Sequence, residues 1–280
     1  MDNLVSTEWL AEHLGDSDLR VVDATLFLPG TDRDPRGEYE AGHIPGAFFL
    51  NLPELCNAND PRPHMLPPPE KFASRMQALG LGGGSRIVIY DNSPLKSSAR
   101  AWWMFRLFGA AHVAILDGGL GKWVTENRPL ESGRPQTRHR PFTAWQDKDA
   151  VVSKQDVLAI LHSKAAQLVD ARPIARFTGE DPEPRAGMAS GHIPGSLCLP
   201  SSSLFHADGT YKSGDELRDL FAKAGIDLGR PLVTTCGSGV TAANILFAAR
   251  LLGKSDVRLY DGSWSEWGAD PATPKASGPA

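Results

Sequence analysis

The apolar positions of the chain fall into two alternating patterns. Leu19-Arg20-Val21-Val22-Asp23-Ala24, Arg86-Ile87-Val88-Ile89-Tyr90, Gln167-Leu168-Val169-Asp170-Ala171 and Pro231-Leu232-Val233-Thr234-Thr235 predict short buried strands. After the last of these, Ala242, Ile245, Leu246, Ala249 and Leu252 fall on one face at helical spacing. Ser6 and Ser153 are placed to cap helices, and Val5 and Val152 to pack on Leu10 and Val157 in the first turns. Gly109 and Gly253 mark helix ends. Strands that alternate with helices predict an α/β fold with a mainly parallel sheet.

The pattern occurs twice. Val5-Ser6 is matched by Val152-Ser153, and Asp23 by Asp170. Gly42-His43-Ile44-Pro45-Gly46-Ala47 is matched by Gly191-His192-Ile193-Pro194-Gly195-Ser196. Asp117-Gly118-Gly119 with Trp123 answers Asp261-Gly262-Ser263 with Trp267. The interval drifts by only a few residues, as duplication followed by small loop changes would leave it. Each unit is long enough to be a domain. This predicts a first domain over residues 1–135, a linker over 136–149 and a second domain over 150–280. The stretch from Glu131 to Asp149, rich in Pro, Arg, Thr and Gln, should wrap one domain onto the other. The Pro-rich tail from Ala269 to Ala280 should be loose. Trp102, Trp103, Trp264 and Trp267 stand beside apolar residues and are assigned to the core.

Chemistry enters where the two copies differ. The strand of the second copy ends in Cys236-Gly237-Ser238-Gly239-Val240-Thr241-Ala242, and Asp91 stands in the first copy where Cys236 stands in the second. Two glycines let the backbone turn tightly about the cysteine. Amide groups and a helix N-terminus converging on the sulfur favour thiolate, the nucleophilic form. Ligands of such sheets bind at the carboxyl ends of the strands, where Cys236 lies. The other cysteines, Cys56 and Cys198, fall beside apolar strands and are assigned structural roles.

The loop resembles the active-site loop of the 3-mercaptopyruvate sulfurtransferases, members of the rhodanese superfamily. Thiosulfate-using rhodaneses place basic residues after the cysteine, and this loop has none. The resemblance spans nearly the whole chain. It implies two tandem rhodanese-like domains, each a mainly parallel sheet flanked by helices, the first catalytically silent because of Asp91. It implies a persulfide on Cys236, cradled by Gly237, Gly239, Val240 and Thr241. It implies a proton relay of Ser238, His43 and Asp32, and it gives Arg176 and Arg185 the carboxylate and ketone of a 2-keto acid. Guanidinium suits a planar carboxylate. No metal or organic cofactor is implied. The sulfur acceptor would be a thiol, such as thioredoxin or a small thiol, or cyanide.

Plainer readings stand beside these. His43 and His192 share one context, so each can be a turn residue. Asp32, with Asp34 and Glu38 nearby, can be part of a solvated acidic loop, and Arg172 is a weaker substrate ligand than Arg176 or Arg185. Thiosulfate could be the donor. A cysteine phosphatase would need arginine six positions after the cysteine, where Ala242 stands. A sulfur carrier without turnover would have no use for the arginines.

Composition narrows the setting. The chain has 280 residues, with 29 Lys plus Arg against 33 Asp plus Glu and a net charge of −4. Nucleic acid and anionic membranes are disfavoured as main partners. Three scattered cysteines give no disulfide framework and no zinc spacing. No run reaches the length of a membrane span, and the N-terminus reads as folded sequence. These features point to a cytoplasmic enzyme.

Overall fold

The computed structural model describes residues 1–28 and 30–279. It divides into two units, and neither is one continuous stretch. The first holds Met1–Ala58, Leu66–Asp147 and Phe205–Tyr211, the second Asn59–Met65, Lys148–Leu204 and Lys212–Ala280. Among the described residues no helix is long and apolar enough to cross a membrane.

The elements of the first unit run β1 (Leu4–Val5), α1 (Thr7–His13), β2 (Leu19–Asp23), α2 (Pro35–Ala41), β3 (Phe48–Phe49), α3 (Leu52–Leu55), α4 (Pro69–Ala78), β4 (Arg86–Tyr90), α5 (Ser98–Leu107), β5 (Val113–Leu116) and α6 (Gly119–Thr125). The sheet is parallel, in the order β1-β5-β4-β2-β3. Ile87 to Tyr90 of β4 are buried, as befits a strand covered on both faces. Ser6 caps α1 by accepting the Trp9 N–H, and Val5 and Leu10 share a core with Trp123. The segment after β5 and α6 runs along this same unit. Glu131 and His43 exchange backbone hydrogen bonds, Phe142 packs edge-on to Phe72, and Trp145 sits against Gly109.

The second unit repeats the plan with β6 (Val151–Val152), α7 (Lys154–Ser163), β7 (Gln167–Asp170), α8 (Ile174–Thr178), β8 (Leu197–Cys198), α9 (Gly214–Lys223), β9 (Leu232–Thr235), α10 (Ala242–Leu251), β10 (Val257–Tyr260) and α11 (Ser263–Trp267). Its parallel order is β6-β10-β9-β7-β8. Ser153 caps α7 in a reciprocal capping box with Asp156. Trp264 and Trp267 are in the core. The tail corrects the expectation of a loose segment: as far as Gly278 it is tied down, and Ala280 lies outside the described residues. Ala276 and His192 exchange backbone hydrogen bonds of 2.8 and 2.9 Å, and the Trp267 indole donates to Pro274 O at 2.8 Å. Proline and small residues signal a lack of regular structure, but not a lack of partners.

The two copies treat one buried carboxylate differently. Asp170 is paired with Arg172, whereas Asp23, 2 % exposed, has Thr25 in the corresponding place and receives its backbone N–H at 2.9 Å. Burial pushes the Asp23 carboxyl up to about 6, against the pull of the Thr25 hydrogen bonds. The folded state therefore holds this proton more tightly than the unfolded chain. Its contribution to stability is full below about pH 4 and is lost as pH rises through about 6. Asp23→Asn should leave stability near pH 4 unchanged and raise it at pH 8 by about 1–3 kcal/mol. Urea unfolding of both proteins across that pH range measures the difference.

Candidate active site

Cys236 follows directly on β9, and α10 begins six residues later. Gly239 turns the intervening loop at φ +78°, a conformation that glycine adopts freely. The loop is held from the side of α11. The Trp264 N–H donates to Cys236 O at 2.9 Å, and Ser265 gives both its N–H and its hydroxyl to Gly237 O at 2.8 Å. Ser263 is left-handed, at φ +49°. Its hydroxyl accepts the Cys236 N–H at 3.2 Å and donates to Tyr260 O at 2.8 Å. The Cys236 side chain is thus seated at the carboxyl end of a central strand, in a residue only 2 % exposed.

Two arginines border this loop. A Cβ on Gly237 would lie 3.3 Å from Arg176 Nη2 and 3.9 Å from Arg185 Nη1. Arg176 is held by Glu183, which accepts from its Nη2 and, at 3.3 Å, from its Nε. Glu183 also accepts from Arg172 Nη1 at 2.7 Å, and Arg172 forks onto Asp170. Arg172, 1 % exposed and lying over the Trp264 ring at 4.5 Å, is therefore committed to the interior. Arg185 makes no hydrogen bond or ion pair among the described residues. Burial, and then the charge of Arg176, pull its pKa down, while Cys236 and Glu183 raise it. A half-buried guanidinium in that position favours an incoming anion.

Ser238 is hydrogen-bonded to His64, with Oγ and Nδ1 2.8 Å apart. His64 belongs to the Asn59–Met65 segment of the second unit and is itself left-handed, at φ +61°. The sequence reading missed it. Its partner is 174 positions away, and a histidine in a Pro-rich loop has no local pattern to single it out.

The structure does not bring Asp32 to His43. His43 is 1 % exposed, its Nδ1 donates to Tyr39 O at 2.8 Å, and its Nε2 has no hydrogen-bond partner among the described residues. Asp32 lies on an exposed loop. His192 repeats the arrangement, with Nδ1 donating to Phe177 O at 2.8 Å and its ring stacked on Phe177, as His43 is stacked on Tyr39. Both histidines brace a turn against an aromatic side chain of the preceding helix.

In the first unit the Asp91 carboxylate fills its own loop, accepting the N–H groups of Ser93 and Ser98 at 2.8 Å each. Cys198 is bonded weakly to Arg172 O, and burial pushes its thiol up to about 12.

Two parallel sheets of identical strand order, with a cysteine loop on one and an aspartate on the other, match a family model described as a rhodanese-like domain twice, over residues 6–126 and 153–270. The chain belongs to the rhodanese-like family. This rhodanese-like chain is 45% identical over 266 residues to the 3-mercaptopyruvate sulfurtransferase of Escherichia coli, covering 95% of this chain and 94% of that one. It is 42% identical over 271 residues to the thiosulfate sulfurtransferase of Cricetulus griseus, covering 94% and 91%. A solved 3-mercaptopyruvate sulfotransferase of Escherichia coli superposes with a TM-score of 0.87 at 42% identity, over 95% of this chain and all of that one.

The two kinds of arginine should separate by stability. Arg172→Leu leaves Asp170 and Glu183 buried without their cation and should cost about 3–5 kcal/mol. Arg185→Ala removes no ion pair and should stay within about 0.5 kcal/mol of the parent. Urea unfolding followed by tryptophan fluorescence tests both.

Proposed function

We propose that the protein is a sulfurtransferase that moves sulfur from 3-mercaptopyruvate, through a persulfide on Cys236, to a thiol acceptor. The observation that carries this is Arg185, without a hydrogen bond or ion pair among the described residues, beside Arg176 at Gly237, next to the cysteine, with no basic side chain in the loop itself. Thiosulfate, a dianion, gains from cations beside the sulfur. Mercaptopyruvate carries its charge on a carboxylate away from the sulfur, which suits arginines outside the loop.

The Cys236 thiolate attacks the mercapto sulfur, and the S–S bond forms as the C–S bond breaks. The electron pair passes to the carbon and forms the enolate of pyruvate, which Arg176 and Arg185 stabilise. The proton of the donor thiol ends on that carbon, giving pyruvate, and Ser238 with His64 supplies its path. The persulfide rests in the loop of Gly237, Gly239, Val240 and Thr241. A thiolate then takes the outer sulfur and frees Cys236. Reduced thioredoxin or a small thiol fills this role, and cyanide substitutes for it in the assay. Such thiols persist in a reducing compartment, and we infer a cytoplasmic setting.

The donor comparison is the direct test. The parent should prefer mercaptopyruvate over thiosulfate in kcat/KM. Arg185→Ala should lower mercaptopyruvate efficiency about ten- to a thousandfold and affect thiosulfate much less. Intact mass spectrometry after donor treatment should show one added sulfur that cyanide removes and that Cys236→Ser never acquires. A parent that prefers thiosulfate would overturn the donor.

The relay is read from the Ser238–His64 contact, with Asp32 and His43 outside it. His64→Ala should lower kcat with mercaptopyruvate about 100-fold or more. His43→Ala, once shown to be folded, should cost less than tenfold, about as much as His192→Ala. The reverse order would restore His43 to the relay.

A further inference from the structure

We propose that Arg62, locked onto Glu266, is a positioning residue that holds the His64 imidazole at Ser238. The inference rests on the Ser238–His64 relay proposed above.

Arg62 and His64 lie in the same Asn59–Met65 segment of the second unit. The guanidinium of Arg62 is shared between two carboxylates. Its Nε donates to Asp60 Oδ1 at 2.8 Å and its Nη2 to Asp60 Oδ2, while Nη1 is paired with Glu266. Glu266 is fixed in turn by the Tyr260 hydroxyl, which donates to its Oε2 at 2.8 Å. These side chains are partly buried, at 32 % exposed for Arg62, 16 % for Asp60 and 19 % for Glu266.

Glu266 is on α11, the same short helix whose Trp264 and Ser265 hold the carbonyls of Cys236 and Gly237. One helix therefore grips both the cysteine loop and the segment that brings the histidine. Only Pro63 separates Arg62 from His64. Proline fixes its own φ and restricts the residue before it to extended conformations, so the backbone between Arg62 and His64 is stiff, and Asp60 and Glu266 hold the guanidinium end. His64 is left-handed, an arrangement that persists only where surrounding contacts impose it. The Arg62–Glu266 pair is such a contact. Releasing it lets the segment relax and draws the imidazole from Ser238. A misplacement of about 1 Å can cost about a hundredfold in rate.

The experiment measures steady-state kinetics with mercaptopyruvate and with thiosulfate for Arg62→Gln, Arg62→Lys, Glu266→Gln, His64→Ala and Arg62→Gln combined with His64→Ala. Arg62→Gln and Glu266→Gln should each lower kcat with mercaptopyruvate about 10- to 100-fold and leave KM within about twofold. Arg62→Lys, which keeps the charge opposite Glu266, should recover most of the rate. Thiosulfate carries no proton on its sulfur, so its kcat should change less than about threefold. With His64 already removed, Arg62→Gln should add less than about twofold. Multiplicative losses in the double variant, or equal losses on both donors, would mean that the ion pair only supports the fold. If His64→Ala costs rate and Arg62→Gln does not, the latch alone falls. If His64→Ala leaves kcat unchanged, the relay falls and takes the latch with it.

Discussion

Asp170, Arg172, Glu183 and Arg176 form a row of alternating charge that ends at the cysteine loop. Each interior member has opposite charges on both sides, so the desolvation of one ion is offset by two neighbours. The row also does directional work. Glu183 occupies Nε and Nη2 of Arg176, which fixes the plane of the guanidinium and the edge it can offer to a ligand. Arg185 has no such hydrogen-bonded anchor among the described residues and feels Glu183 and Cys236 only at longer range. Among the described residues the unit thus keeps one cation fixed in orientation and one without an anchor, both beside the cysteine loop.

The first unit shows the same loop put to another use. Its Asp91 carboxylate takes the amides of Ser93 and Ser98, so a built-in anion sits where the second unit presents sulfur. The two copies also diverge across the strand. Gly119, at φ +59°, leaves room for Asp91 O, which an added Cβ would approach to 2.5 Å. In the second unit Ser263 takes up a similar left-handed backbone and uses its hydroxyl to hold the Cys236 amide. The strain of a non-glycine residue there is offset by two hydrogen bonds.

What the sequence made legible was whatever depends on local pattern. The strands ending near Asp23, Tyr90, Asp170 and Thr235 are where alternation and apolar runs put them, because a parallel strand must be buried on both faces. The Ser6 and Ser153 caps follow from side chains that compete for backbone amides. Arg176 and Arg185 lie at Gly237, and only family likeness singled them out, because chain pattern alone does not distinguish them from a solvated charged loop. Contacts between distant segments were illegible. His64, Arg62 and the pinned tail at Ala276 depend on partners far along the chain, and nothing in the few residues around each records the partner. Asp32 and His43 stand apart for a related reason: an identical motif in both copies carries an identical bracing task at Nδ1, which needs no carboxylate beside it.

The segment Asn59–Met65 makes the two repeats interdependent. It is encoded in the first repeat, yet it is part of the unit that holds the cysteine. A second repeat expressed alone would keep Cys236, Ser238 and both arginines but would lack the histidine that meets Ser238. The repeat that carries Asp91 lends the other the histidine at Ser238, so deletion of either repeat would remove one side of that contact.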